Sequence, residues 1–428
     1  MPKKIKEGET PFSELCNVLD LSSDKLHSKK VRLFPIGHTE SEVHTTSIFL
    51  SSLCAVKEYR EELFTNINVT KIKNNNIQIH AYTEISNDSS EEKVDALIVI
   101  TSGKFSPIIE WAAFIEVKVG KELIGQDQID RYIIFAQKIG IKNIITISNE
   151  LVTTPEDSPV RTNKKVKLFH WSWSYLVVTA GRLINNGAIS DDDHVYILRE
   201  LRLYFDQHKK VTAFTSMGVD WDDSTSRYRT SKATNTDLTN IINALLQEEK
   251  DNGLQLTDKT GCHVELLSKE NRREDFFKLL KDQKPIVSNY WINKDKKMTF
   301  SVEIDFMLRR VKCSTSIIIT KGKAKAQTTN LINLLSKRGG ISDQIEIEAK
   351  FPRKRNTSTA LLSDLIQQKK DLKPYSILDN DLGDTVKCFE IELAKDLKSK
   401  FNNRTQFIIH LEKYTLDFFN QVMQEIMT

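Results

Sequence analysis

The chain has 428 residues, of which 39% are hydrophobic and 28% are charged, and its formal net charge is +4. This length predicts two to three globular domains, and the apolar content is sufficient for packed cores. A net charge this small excludes attraction of nucleic acid by the molecule as a whole, so any such affinity must come from local basic patches.

Neither secretion nor membrane insertion is expected. The N-terminal segment MPKKIKEGET has lysines but lacks the apolar core of a signal peptide, and no apolar run approaches the roughly 20 residues that span a bilayer. The five cysteines are odd in number and never occur in C-x-x-C spacing. This usage favours a reducing, cytoplasmic setting without structural zinc. Since no apolar run is long enough, no membrane partner is expected.

Residues 39–64, TESEVHTTSIFLSSLCAVKEYREELF, predict one long helix with an apolar stripe. Glu42 lies at the N-terminal end of that stripe, and Glu40 is the alternative acid for the same position. An acid at a helix start is equally explained by the helix macrodipole, so both interpretations stay open. Residues 71–80, KIKNNNIQIH, predict a strand with a polar turn.

Two apolar runs, residues 94–100 and 108–119, are separated by a Ser-Gly turn and predict buried strands. Alternation places Phe114, Glu116 and Lys118 on one face of the second strand. Burial of charge is costly unless the charge is paired or bound to a metal. Something is therefore expected to hold Glu116 and Lys118 in place.

The next elements are predicted to be a helix over 126–139, ending at Gly140, and an apolar strand over 143–148. On this helix Gln128 and Tyr132 are four residues apart and share a face.

The spacing of Asp95 from Glu116-Val117-Lys118 resembles the PD-(D/E)XK motif of the restriction-endonuclease-like nucleases. The resemblance implies that Asp95 and Glu116 ligate Mg²⁺, or Mn²⁺, and that the Val117 carbonyl completes the set of protein ligands. It also implies that Lys118 positions the attacking water and offsets developing negative charge. Many such folds add an acid from the first helix, a role for which Glu42 is the candidate.

The Gln128 and Tyr132 pair is similar to the additional Q-x-x-x-Y motif of RecB-type members of that superfamily. The resemblance implies that both residues support Lys118 and the phosphate. Asp95, Glu116, Lys118, Gln128, Tyr132 and Glu42 are therefore the predicted catalytic residues.

The Glu-x-Lys triplet itself occurs four times and is weak evidence alone. The copies at Glu91 and Glu248 lie in polar segments expected to be solvated, and the copy at Glu348 lacks a following helix and strand. Only Glu116 has the upstream acid, the hairpin, the helix and the closing strand together. The alternative interpretation is an edge strand on which Glu116 and Lys118 pair in solvent.

Beyond this region, residues 153–165 predict a loop and 166–169 a strand, with a helix from His170 onward. Trp171 and Trp173 are interpreted either as base-stacking residues or, more commonly at such a junction, as buried aromatics. The acidic run 191–193 is interpreted as a helix start rather than a metal site. The tract 222–236, rich in Ser, Thr and Arg, predicts a linker or an exposed loop.

The C-terminal half predicts a second unit of mixed strands and helices and resembles no family in particular. Between Arg309 and Lys373 there are fifteen Lys and Arg against five Asp and Glu, a local excess of ten positive charges. This basic region is expected to contact nucleic acid or a partner protein through two groups: Lys321, Lys323 and Lys325, and Arg353, Lys354 and Arg355. The predicted strands are 263–267, 298–307, 311–320, 344–351, 385–393 and 406–411, and the predicted helices are 238–252, 272–281, 328–337 and 416–427.

The expected architecture is α/β, with a restriction-endonuclease-like αβββαβ core in residues 1–187. A helical connector and linker (188–258) and a basic C-terminal α+β domain (259–428) follow. The resemblance implies a Mg²⁺-dependent endonuclease acting on DNA, by analogy in restriction or bacterial anti-phage defence. The alternative is a catalytically inactive nuclease fold that binds DNA or docks a partner in a repair or defence complex. Expected partners are DNA and, through the C-terminal domain, a second copy or another protein.

Overall fold

In a computed structural model the chain is a mixed α/β protein with two β-sheets. The structure describes residues 41–427, apart from residues 74–75, 87–92, 105–107, 121, 162–165, 212–213, 268–270, 294–297, 320, 338–339, 353–357 and 379–385. No helix in the described ranges is both long and apolar enough to cross a membrane.

Two helices, α1 (Glu42–Ala55) and α2 (Lys57–Thr65), precede the first sheet. Ser41 caps α1, because its side chain accepts a hydrogen bond from the backbone N–H of His44 at 3.3 Å. Val56 between the helices is extended (φ −95°, ψ 106°) and fully buried. The single long helix predicted over 39–64 is therefore wrong, because packing of the β-branched Val56 into the core breaks it in two.

The first sheet has the strand order β1-β2-β3-β4-β5. Its first two pairings are antiparallel and its last two are parallel. A parallel pair needs a crossover connection, which helix α3 (Gln126–Ile139) provides between β3 and β4. Of the segment predicted as a strand over 71–80, residues 77–80 lie in a strand, whereas residues 70–73 form a 3₁₀ turn. The strands are β1 (Ile77–Ser86), β2 (Lys93–Ser102), β3 (Ile108–Val117), β4 (Asn143–Ser148) and β5 (Lys167–Ser172).

Helices cover both faces of this sheet. Helices α1, α4 (Trp173–Asn185) and α5 (Asp192–Asp206) pack on one apolar face, and α3 packs on the other. The helix predicted from His170 begins three residues later, because residues 170–172 extend strand β5. Trp171 and Trp173 are fully buried, which excludes them from base stacking.

The acidic run is a helix start, as predicted. The Asp191 side chain accepts hydrogen bonds from the N–H groups of Asp193 and His194, at 2.9 and 3.2 Å, and thereby caps α5.

The tract predicted as a linker over 222–236 is wrong, because it contains helix α6 (Trp221–Arg229). Trp221 and Tyr228 are buried in the second core, and the Tyr228 hydroxyl donates to the Leu280 carbonyl oxygen at 2.7 Å. The polar composition of this tract gives no indication that the helix is held to the second core by two buried aromatic side chains.

The second sheet has the strand order β11-β10-β12-β9-β8-β7-β6, and all its pairings are antiparallel. The strand predicted over 406–411 is wrong, because these residues lie in a helix capped by Asn403. Strand β7 and the element pair β11 and α10 were not predicted. The elements are α7 (Asn235–Thr260), β6 (Val264–Leu266), α8 (Arg272–Lys281), β7 (Ile286–Ile292), β8 (Met298–Asp305), β9 (Arg310–Ile318), α9 (Ala324–Leu335), β10 (Ile345–Lys350), β11 (Thr359–Leu361), α10 (Leu362–Lys370), β12 (Cys388–Asp396), α11 (Arg404–Phe418) and α12 (Gln424–Met427).

The helices of the predicted connector, 188–258, belong to two different hydrophobic cores. Helix α5 contributes to the core of the first sheet, whereas α6 and α7 contribute to the core of the second. Arg202 on α5 donates to Asp258 on α7 at 3.0 Å and joins them. The domain boundaries at 187 and 258 stay predictions.

Candidate active site

The predicted charged pair lies at the end of β3, on the face covered by α3. Glu116 is fully buried, and Lys118 Nζ lies 2.8 Å from Glu116 Oε1. Lys118 Nζ also lies 3.7 Å from Glu42 Oε2. Helix α1 therefore brings Glu42 to this cluster; Glu40 lies outside the described residues. The interpretation of an edge strand paired in solvent is wrong, because β3 is central and Glu116 has no exposed surface.

Asp95 lies beside Glu116 on the neighbouring strand. The β2–β3 register pairs Ala96 with Ile115, which sets Asp95 next to Glu116. Asp95 Oδ2 accepts a hydrogen bond from the Val117 backbone N–H at 2.8 Å. One carboxylate thereby fixes the backbone of the strand that carries the other.

The environment of Glu116 disfavours a bare carboxylate. Burial raises the pKa of Glu116 to about 7, and the charge of Asp95 adds to this, while Lys118 and Tyr132 oppose it. Burial likewise raises the pKa of Glu42. Burial alone would lower the pKa of Lys118, but the surrounding carboxylates raise it instead. The cluster therefore holds a charged lysine among carboxylates that repel one another.

Tyr132 and Gln128 reach the same cluster from α3. Tyr132 is almost fully buried, packs edge-on against Phe114, and lies with its hydroxyl between Glu116 and Gln128. Burial and the nearby Glu116 and Asp95 raise the pKa of Tyr132 strongly, which keeps its hydroxyl protonated as a donor toward Glu116. The predicted shared face of Gln128 and Tyr132 is confirmed.

Two polar residues that the sequence did not indicate continue this row across the sheet. Thr146 pairs with Glu116 in the β3–β4 register, and His170 pairs with Thr146 in the β4–β5 register. Thr146 Oγ1 lies 2.8 Å from His170 Nδ1, and His170 Nε2 lies 2.8 Å from the Glu150 carbonyl oxygen. The alternation of faces along β4 is the signal that could have indicated Thr146. No such signal exists for His170, because the sequence predicts a helix there.

The hydrogen bonds of His170 determine its tautomer. A carbonyl oxygen only accepts, so the Nε2 facing Glu150 carries the proton. Burial lowers the pKa of His170 to about 4, so the ring is neutral and Nδ1 can only accept. The Thr146 hydroxyl faces both this nitrogen and the Phe169 carbonyl oxygen, which is 3.1 Å away. Thr146 then directs its proton away from Glu116.

A hard divalent cation such as Mg²⁺ takes oxygen ligands, which the carboxylates of this cluster could supply. Among the described residues no three His, Cys, Asp or Glu side chains converge as a ready metal site. Glu42 Oε2 and both oxygens of Glu116 are nevertheless buried, and the polar neighbours that the described residues give Glu116 are the Lys118 ammonium and the Tyr132 hydroxyl. Carboxylate oxygens are the ligands that Mg²⁺ and Mn²⁺ take, so the residues fit such an ion.

The remaining predicted residues lie elsewhere. Lys321, Lys323 and Lys325 are exposed where the segment after β9 leads into α9, far along the chain from the cluster. The group Arg353, Lys354 and Arg355 lies outside the described residues.

Two of the other Glu-x-Lys triplets can be placed. Glu348 and Lys350 lie on β10, with their charged groups 3.7 Å apart, in the second sheet. The expectation that Glu248 is solvated is wrong, because α7 buries it in the second core.

The cluster on β2, β3, α1 and α3 thus combines closely spaced carboxylates, a lysine cation and a protonated phenol. Such a set can bind a cation and polarise a water or a phosphate beside it. No protein-family model, curated protein or solved structure matches this chain.

Proposed function

We propose that the chain is a Mg²⁺-dependent nuclease of the PD-(D/E)XK type that hydrolyses phosphodiester bonds in DNA. The observation that carries the proposal is the fully buried Glu116, which lies beside Asp95 of the neighbouring strand and 2.8 Å from the ammonium of Lys118. The order of α1, three antiparallel strands, α3 and a parallel β4 supports it, because the resemblance implies this αβββαβ order. Restriction or anti-phage defence as the setting rests on fold-level analogy.

Each residue has a distinct part in the proposed reaction. Asp95, Glu116 and the Val117 carbonyl would hold the metal, with Glu42 at its margin. A divalent ion held there lowers the pKa of a bound water and neutralises charge on the phosphate. Lys118 orients the water and offsets the charge that develops on the phosphate oxygens. Tyr132 and Gln128 hold Glu116 in place.

Cleavage of linear and supercoiled DNA, with Mg²⁺, Mn²⁺, Ca²⁺ or chelator, tests the proposal. Cleavage is expected with Mg²⁺ or Mn²⁺ and is expected to be absent with Ca²⁺ or chelator. Glu116→Ala and Lys118→Ala are each expected to abolish it while the fold is retained. Glu348→Ala, in the triplet on β10, is the matched control and is expected to cleave like wild type. Undiminished cleavage by the Glu116 or Lys118 variant contradicts the assignment.

A second candidate is a nuclease fold without activity that binds DNA or docks a partner. One observation favours it: Lys118 lies within ion-pair distance of both Glu116 and Glu42, so part of their charge is compensated without a metal. Calorimetric titration with Mn²⁺ separates the two candidates, because the inactive fold neither binds the ion through Glu116 nor cleaves DNA with it.

A further inference from the structure

A cavity of about 250 Å³ lies where the two halves of the chain meet. Strand β5 and helix α4 line one side, and helix α7 and strand β6 line the other. Val178, Leu254 and Val264 contribute apolar surface, and Lys250 contributes a charge. Small-molecule sites are usually mostly apolar clefts with a few convergent polar groups, and their volumes begin near about 300 Å³.

Lys250 is a cation of this cavity with no carboxylate within ion-pair distance among the described residues, although Glu249, Asp157 and Glu150 attract it from farther away. Its Nζ donates to the Leu151 carbonyl oxygen at 3.0 Å, and no described carboxylate forms an ion pair with it. Elsewhere in the lining Arg182 pairs with Glu62, and His263 Nε2 lies 3.5 Å from Glu265. The lining carboxylates Glu156 and Glu265 have these or other partners, since Glu156 accepts from Asn68. An ammonium has three N–H donors, and a mostly buried one is costly to leave with a single neutral acceptor.

We propose that this cavity binds a small organic anion, whose carboxylate or phosphate group pairs with Lys250 and whose compact apolar body packs against Val178, Leu254 and Val264. The volume suits a molecule near the lower end of the size range of ligands, rather than a peptide or a nucleic acid strand. The binding inference stands independently of the nuclease proposal.

The cavity is connected to the candidate active site through residues 149–151. The Leu151 carbonyl oxygen accepts from Lys250, and the Leu151 N–H donates to Gln247 Oε1 at 3.2 Å. On the other side, Asn149 Nδ2 donates to the Gly120 carbonyl oxygen at 2.8 Å, two residues beyond Lys118.

Two further contacts of Glu150 complete this connection. Its carboxylate accepts from the Ile124 N–H at 3.2 Å, and its carbonyl oxygen faces His170, which also lines the cavity. An anion that draws Lys250 away from Leu151 therefore acts, through residues 149–151, on the segment that follows strand β3. This part of the inference rests on the proposed function.

Binding is tested on the full chain, without Mg²⁺ or DNA, by calorimetry and thermal shift. The probes are phenyl phosphate and benzoate, with benzyl alcohol as the uncharged analogue and inorganic phosphate as the anion without an apolar body. One of the two aromatic anions is expected to bind at one site per chain, at least about tenfold more tightly than benzyl alcohol, because the alcohol oxygen can accept from Lys250 but has no negative charge to pair with it. Tighter binding of phenyl phosphate or of benzoate identifies which anionic group the site takes.

Three variants locate the site. Lys250→Met is expected to weaken binding at least about tenfold, and Leu254→Trp, which fills the cavity, is expected to abolish it with Lys250 intact. Gln247→Ala is the matched control, since it removes the neighbouring contact to Leu151 but leaves the cavity unchanged. Should Lys250→Met fail to fold, Leu254→Trp decides. No saturable binding by either aromatic anion, or equal binding by wild type and the cavity-filling variant, overturns the proposal.

The coupling is tested separately by hydrogen exchange of residues 118–125 and 149–151 with and without the bound anion. Changed protection in both segments supports it. Binding that leaves both segments unchanged overturns the coupling but leaves the binding site. If the wild-type chain does not cleave DNA, the nuclease proposal is overturned, and the anion-binding site is unaffected.

Discussion

Glu116 shows how burial and neighbouring charges set the state of a single carboxyl group. Its pKa in the folded chain, about 7, lies above the value of 4.5 for a free glutamate. Between these two values the folded chain holds the proton more tightly than the unfolded chain does. The contribution of Glu116 to stability therefore falls as the pH rises through this window and stays low above pH 7.

We predict that Glu116→Gln is more stable than wild type at pH 8, by up to about 3 kcal/mol, and that the two differ little at pH 4.5. The reason is that the amide removes the cost of ionising a buried group. Urea unfolding of both proteins at several pH values measures the difference. Taking the difference between the proteins cancels other buried acids such as Glu248 and Asp251, whose pKa values are also raised. A difference that does not vary with pH contradicts the prediction.

Tyr132 provides a second prediction at the scale of one residue. Its hydroxyl lowers the pKa of Glu116, so Tyr132→Phe is expected to raise that pKa while keeping the ring packed on Phe114. If cleavage requires an ionised Glu116, the acidic limb of the pH–rate profile at sub-saturating Mg²⁺ lies at higher pH in Tyr132→Phe than in wild type. Rates measured from pH 5.5 to 9 give the limb. Tyr82→Phe, at an exposed tyrosine on β1, is the control that should leave it in place.

At the scale of elements, prediction succeeded where the signals are local. Helix α3 and strand β4 have their predicted bounds, because the helix ends at Gly140 in the left-handed conformation (φ +81°) and an apolar run follows. Prediction failed at α6 and α11. These helices are amphipathic around anchors such as Trp221 and Phe407, whose burial depends on the second core.

The C-terminal end of helix α3, at Gly140, gives a prediction about helix stability. No heavy atom lies within 4 Å of a Cβ added at Gly140, so a substitution there meets backbone strain and no clash. We expect Gly140→Ala to lower the free energy of unfolding by roughly 1–2 kcal/mol. Asn tolerates this conformation, so Gly140→Asn should cost clearly less. Denaturant unfolding of both variants measures the costs, and equal costs would mean that strain at Gly140 is not the cause.

At the scale of the whole molecule, the net charge is small and affinity for DNA must come from a region. Lys321, Lys323 and Lys325 are exposed together at the start of α9, inside the segment with ten excess positive charges. If they contact phosphates, replacing all three by Ala reduces the slope of log K against log salt by up to about 3. Fluorescence anisotropy with labelled DNA at several KCl concentrations measures this slope.

The control for this prediction replaces Lys278, Lys281 and Lys284, which removes the same charge from around α8. It should change the slope less. Equal reductions in both triple variants would mean that the lysines act through net charge, and an unchanged slope in the first would exclude a phosphate contact there.

Local sequence patterns predict the order of elements around Glu116, from strand β2 to strand β4. Strand alternation predicts that Glu116 and Lys118 share a face, and helix spacing predicts the same for Gln128 and Tyr132, because both patterns act over a few residues. Asp95 is indicated only by the resemblance to a nuclease motif. The position of His170 and the breaking of the first helix at Val56 were decided only by the tertiary structure. The same holds for the placement of Lys250 beside Leu151, since these residues are 99 positions apart and pack together only when both cores have formed. Local patterns specify which face a side chain takes, whereas long-range packing specifies which partner it meets there.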